Sequence, residues 1–151
     1  MNAKGGSRRW KPLLYLCYAR LPLPALRDNA IAMARELLDR GADPKAYYMA
    51  GDSIYGTLVG VVGEGEQDAP PHVQRDALYA LLLERGAPPF DMQVLYNTFF
   101  HGHVQWWLEL TYAHSVAIGR TEPWADPEWM MLGMGGYGSG ARFVLELAIN
   151  K

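Results

Sequence analysis

An eleven-residue pattern occurs twice in this chain, as Ala34-Arg35-Glu36-Leu37-Leu38-Asp39-Arg40-Gly41-Ala42-Asp43-Pro44 and as Tyr79-Ala80-Leu81-Leu82-Leu83-Glu84-Arg85-Gly86-Ala87-Pro88-Pro89. Each copy is an apolar helical run, then an acid and an arginine, then Gly-Ala and proline. Glycine just past a helix can adopt the left-handed conformation that closes it. The arginine lies near the negative end of the helix dipole, and proline stops the helix from continuing. The pattern therefore predicts two helices that end alike, with Gly41 and Gly86 at positive φ beyond them.

The runs that feed these stops are amphipathic. Ala30, Met33, Ala34, Leu37 and Leu38 recur at three and four residues, as do Leu78, Leu81 and Leu82. Val104, Trp107, Leu108 and Thr111 repeat the spacing, as do Ala141, Val144, Leu145 and Ala148. Each of these four helices has a shorter candidate before it: Leu13 to Ala19, Ile54 to Val62, Gln93 to Phe100, and Glu128 to Met134. Buried positions are expected at Leu37, Leu38, Leu81, Leu82, Val104, Trp107, Leu108, Val144 and Leu147. Strand alternation is not evident. The run Val59-Gly60-Val61-Val62 reads as a loose helix, and residues 63–72 as an exposed loop rich in glycine, acid and proline. The expected class is all-α, and recurrence of helix pairs suggests a solenoid.

These residues resemble the ankyrin-repeat family. Gly41-Ala42-Asp43-Pro44 and Gly86-Ala87-Pro88 are similar to its stop, and Lys11-Pro12-Leu13 and Gly56-Thr57-Leu58 to the openings of its first helices. Gly102-His103-Val104 is similar to its turn before the second helix. The resemblance implies an ankyrin-like helical solenoid of stacked antiparallel helix pairs, with repeats at residues 10–46, 47–90, 91–122 and 123–151. A flexible segment, residues 1–9, precedes them. The third repeat has His114-Ser115-Val116 where the family has its stop. The pattern is closer to degenerate bacterial arrays than to regular ones, and such stacks bind other proteins without doing chemistry.

Charge narrows the partners. The formal net charge is -2 over 151 residues, far from the concentrated positive field that neutralises phosphates, so no nucleic acid is expected. Arg8, Arg9 and Lys11 read as a solvated terminus. The apolar run Leu13 to Leu26 is broken by Pro22 and Pro24 and too short to span a bilayer, so no membrane is expected. Cys17 is the only cysteine, which excludes an intrachain disulfide, and it lies in an apolar run where it packs as a small hydrophobe. A cytoplasmic setting follows as the expectation.

Motifs that bear chemistry are weak. Gly51-Asp52-Ser53-Ile54 resembles the nucleophile block of GDSL hydrolases, so a small serine hydrolase using Ser53 is the alternative function. That chemistry needs a base and an oxyanion hole, yet Asp126-Pro127-Glu128-Trp129 lacks the histidine that the resemblance requires. The plainer reading is that Asp52 or Ser53 caps the next helix. Gly133-Met134-Gly135-Gly136-Tyr137-Gly138 satisfies a dinucleotide-binding pattern without the flanking strands. His101 and His103 have no third ligand at a recognised spacing. No catalytic residue, metal or cofactor is expected.

The aromatic residues are in excess around the first helices. Tyrosine and tryptophan offer large contact area with few rotors, which suits interfaces. Tyr48, Tyr55, Tyr96 and Trp129 are the expected binding residues of a protein-protein interaction module. The final helix, with Phe143, Val144, Leu145, Leu147 and Ile149, carries apolar residues on more than one face. A second copy of the chain or a further C-terminal continuation would cover it.

Overall fold

The computed structural model describes residues 2–21, 23–63, 69–100, 103–125 and 149. They divide into two compact units, residues 1–88 and 89–151.

In the first unit, α1 (Pro12–Cys17) and α2 (Pro24–Asp39) form one helix pair, and α3 (Thr57–Val62) and α4 (Arg75–Glu84) another. Proline stands in the first turn of α1 and α2, where no intrahelical N–H is lost. The pairs lie side by side, α1 on α3 and α2 on α4. The core between them is Leu13, Leu14, Leu16 and Cys17 of α1, Ala30, Ala34 and Leu38 of α2, and Leu78, Tyr79, Leu81, Leu82 and Leu83 of α4. Every residue of α3 is buried, which is why its sequence carries no charge. Leu37 and Leu108, expected to be buried, are half-buried instead. The buried stripe of α2 runs through Ala30, Ala34 and Leu38, and Leu37 stands at its margin.

The all-α solenoid is overturned here. Between the two pairs stand β1 (Tyr47–Ala50) and β2 (Ser53–Gly56), an antiparallel two-stranded sheet in register Tyr47↔Gly56, Tyr48↔Tyr55, Met49↔Ile54 and Ala50↔Ser53. The signal in the sequence is a two-residue Gly-Asp turn between Tyr47-Tyr48-Met49-Ala50 and Ser53-Ile54-Tyr55-Gly56. Gly51 has φ +59°, as the first central position of a type II′ hairpin requires. Asp52 and Ser53 therefore serve the hairpin and do not cap a helix, and α3 starts at Thr57, three residues later than Ile54.

The predicted stops have the expected form. Gly41 and Gly86 follow α2 and α4 with φ +84° and +94°. Gly41 N–H donates to Leu38 O and Ala42 N–H to Leu37 O, while Gly86 N–H donates to Leu83 O and Ala87 N–H to Leu82 O. This is the Schellman arrangement, which satisfies the last helical carbonyls. No atom lies within 4 Å of a Cβ built on Gly41, so Gly41→Ala is opposed by backbone conformation alone. It should lower stability by about 1 kcal/mol in a chemical melt, and an unchanged midpoint would contradict the left-handed cap.

Residues 2–10 are tied to this unit by hydrogen bonds, residues 2–9 remaining exposed and Trp10 buried. Asn2 Nδ2 donates to Gly41 O at 2.9 Å, and its Oδ1 accepts from Asp43 N–H at 2.9 Å. Gly5 and Trp10 form an antiparallel bridge, and Lys11 Nζ pairs with Asp43 Oδ2 at 3.2 Å.

The second unit contains α5 (Met92–Phe100), α6 (Val104–Ala117) and the short α7 (Glu122–Ala125). Asp91 Oδ1 accepts from Gln93 N–H at 2.9 Å and Val94 N–H at 3.3 Å, a side-chain cap for α5. Val104, Trp107, Thr111 and Ser115 make the buried stripe of α6. The stop missing from its sequence is present after all: Gly119 has φ +67°, with Gly119 N–H on Val116 O and Arg120 N–H on Ser115 O. Trp124 Nε1 donates to Ser115 Oγ at 3.0 Å. The expected helices at 128–134 and 140–151, with Val144, Leu147 and the Gly133–Gly138 motif, lie outside the described residues, apart from Ile149, which is 79% exposed. Among the described residues no helix is long and apolar enough to cross a membrane.

Candidate functional site

The hairpin presents two unlike faces. Residues two apart on a strand, with their cross-strand partners, share a face. Tyr48 and Tyr55, paired in register, therefore lie together on one side, and Tyr47, Met49 and Ile54 on the other. On the first side the rings form a stack: Tyr55 on Tyr48 with centroids 5.4 Å apart, and Tyr48 on Trp10 at 4.3 Å. Tyr15 and Tyr18 flank Trp10 at 5.5 and 5.1 Å, and the Arg8 guanidinium lies 4.7 Å from its ring. Tyr18 Oη donates to Gly56 O at 3.0 Å, tying α1 to the last residue of β2. The other side is open: Tyr47, Met49 and Ile54 are 53%, 53% and 57% exposed.

Backbone groups follow the same division. The residues closing a two-residue turn exchange hydrogen bonds, and bonded pairs then alternate along the ladder. Ala50↔Ser53 and Tyr48↔Tyr55 are the bonded pairs, so the N–H and C=O groups of Tyr47 and Met49 point outward from β1. Among the described residues no hydrogen bond reaches them. On β2 the outward carbonyl of Gly56 is already taken by Tyr18. β1 is the freer edge.

The structure thus brings two of the four expected binding residues together, Tyr48 and Tyr55. Both are half-buried, Tyr48 stacked on Trp10 and Tyr55 on Tyr48, so they support the hairpin, and its open face belongs to their neighbours. Tyr96 is a half-buried residue of α5 in the other unit, and Trp129 lies outside the described residues. Sequence reading missed Tyr47, Met49, Ile54 and Trp10; the Gly51-Asp52 turn would have set the register that sorts them.

Ser53 is exposed where β2 begins. His72 is buried, and its Nδ1 accepts from Gln74 N–H at 3.0 Å, an arrangement that occupies the nitrogen rather than aiming it at a nucleophile. Burial, and then the nearby Arg20 charge, lower the His72 pKa to about 4. Arg20 holds the same region together, donating to Pro70 O at 2.6 Å and to Cys17 O at 3.1 Å. Burial pushes the Cys17 thiol up to about 12, so at neutral pH it is no nucleophile. Burial also raises the Asp91 carboxyl against the two backbone N–H groups it caps. Among the described residues no group of three or more His, Cys, Asp or Glu side chains is placed to hold a metal ion.

His72 carries a pH prediction. Its folded pKa lies below the unfolded value of about 6.5, so between those values the unfolded chain binds the extra proton and stability rises with pH. The contribution is complete above about pH 6.5 and is lost as pH falls toward 4, on the order of 2–3 kcal/mol in all. His72→Asn keeps an acceptor near Gln74 N–H without the titration. Urea melts at several pH values should show wild type losing that much more stability than the variant; parallel curves would refute the assignment.

No protein-family model matches the chain, and no curated protein or solved structure shows significant similarity to it.

Proposed function

We propose that this chain is a protein-protein interaction module that engages its partner through the hairpin Tyr47–Gly56 and performs no reaction. The observation that carries this reading is the combination at β1: an open apolar face of Tyr47, Met49 and Ile54 beside an edge whose outward N–H and C=O groups are unpaired. An extended segment added to such an edge gains main-chain hydrogen bonds for affinity and side-chain contacts on the face for specificity. The aromatic stack beneath, anchored by Trp10, fixes the hairpin so that little ordering cost falls on binding. With a net charge of -2, phosphate recognition is disfavoured.

Selection of displayed random peptides on the folded chain tests the reading. Peptides should be enriched that bind wild type and lose binding to Met49→Asp/Ile54→Asp, a double variant with both changes on the open face and an unaltered melt. Enriched peptides that bind both proteins equally would place the interaction elsewhere. A serine-reactive phosphonate that labelled Ser53 would point instead to the hydrolase.

A further inference from the structure

We propose that the partner that fits this edge is a second copy of the same chain, paired antiparallel β1 to β1 about a two-fold axis through Tyr48; the inference rests on the hairpin being the binding element. Only one two-fold register satisfies every outward group of β1, because Tyr47 and Met49 must each meet an outward-pointing residue. It sets Tyr47 opposite Met49 of the second copy, and Met49 opposite its Tyr47. A methionine sulfur beside an aromatic ring is a favourable contact, and both pairs fall on the open face that also carries Ile54. The two hairpins then make one four-stranded sheet with a continuous apolar surface, and an isologous contact of this kind closes on itself.

Charge agrees with the register. Lys45 and Asp52 flank β1 and the turn; both are exposed, and neither has an ion-pair partner among the described residues. In the proposed pairing Lys45 falls opposite Gly51 of the second copy, diagonally beside its Asp52. The same contact recurs on the other side of the axis. No other charged residue lies between them in the sequence, so no like charges are opposed across the seam. Within the first unit, α3 follows directly from β2 and packs on it, Tyr18 bonds Gly56 O on the β2 edge, and Trp10 and Tyr18 meet Tyr48 on its ring face. These contacts fall on one face and on the β2 edge, not on the outward edge of β1. So short a strand pair gives an interface at the small end of the range for specific contacts, hence a dimer that dissociates on dilution.

Sedimentation equilibrium of the full chain over a wide concentration range tests this. Wild type should pass from monomer to dimer as concentration rises. Met49→Pro, which removes an outward N–H without touching the ladder to β2, should stay monomeric with an unchanged circular dichroism spectrum. Lys45→Asp and Asp52→Lys should each weaken the dimer by about threefold or more, since each alone opposes like charges across the seam. A one-to-one mixture of these two variants should restore it, because both contacts regain opposite charges. The mixture keeps the test valid even where Met49→Pro disturbs folding. Wild type monomeric throughout, or a dimer indifferent to Met49→Pro and to the charge exchange, would overturn the proposal. Peptides that still compete for the open face in that case would leave the interaction-module reading intact.

Discussion

Gly60→Ala should lower the stability of the first unit by about 3 kcal/mol, although helix propensity alone predicts a gain near 1 kcal/mol for the same change. The sign is set by packing. A Cβ on Gly60 would stand 2.4 Å from both Cδ2 and Cε2 of Tyr18, well inside van der Waals contact. Tyr18 has little room to yield: its hydroxyl is bonded to Gly56 O, and its ring lies against Trp10 and, at 5.5 Å, Tyr48. Moving it would disturb α1, α3 and the hairpin together. Because the conflict is with one ring, it should vanish when that ring is removed. In a Tyr18→Ala background, Gly60→Ala should become neutral or mildly stabilising, and the double-mutant cycle should give a large coupling energy. A Gly60→Ala protein as stable as wild type would mean that α3 and α1 do not meet at this point.

This contact was hidden in the sequence, while much around it was plain. The helix stops at Gly41 and Gly86 were legible because glycine, the preceding arginine and the following proline each act locally. Gly119 makes the same stop with Ile118 before it and Arg120 after it, and without Ala and Pro the pattern did not stand out. The hairpin was missed for a different reason. Strands that are half-buried usually alternate polar with apolar residues, but Tyr47-Tyr48-Met49-Ala50 is apolar on both faces, one against Trp10 and one open. Gly51-Asp52-Ser53-Ile54 reads from sequence as a helix cap and, less plainly, as a nucleophile block, and both readings compete with Gly51 as a turn.

The candidate site shows how far residue type carries without register. Residue type points to tyrosines near position 50 as candidate binding residues, but which of them face outward depends on a one-residue step. Tyr48 and Tyr55 turn to Trp10, and Tyr47 with Met49 and Ile54 turns away. His72 was equally unreadable: its burial follows from the chain returning against α3, where His72 N–H donates to Val61 O at 2.9 Å, a tertiary fact that a proline-rich loop does not announce.

Leu82→Ala and Leu37→Ala occupy the same place in the repeated eleven-residue pattern, yet they should differ severalfold in cost. Leu82 is 0% exposed, and α4 buries Leu78, Tyr79, Leu81 and Leu83 beside it, so its neighbours are on most sides and cannot close a void by moving into solvent. Removing its side chain beyond Cβ should cost about 2–5 kcal/mol, combining lost transfer energy with a residual cavity. For a unit of this size each 1 kcal/mol shifts the melting temperature by about 4–8 °C, so the loss should be about 8 °C or more. Leu37 sits half-buried at the margin of the α2 stripe, where truncation leaves a surface that water can fill and the cost should be about 1 kcal/mol. Thermal and urea melts of the two variants, read side by side, compare the burial directly because both changes remove the same atoms from the same point of a helix end. Equal losses would show that the two helix pairs bury their equivalent leucines alike, as the repeat in the sequence alone suggests, and that the unequal packing described for α2 and α4 is wrong.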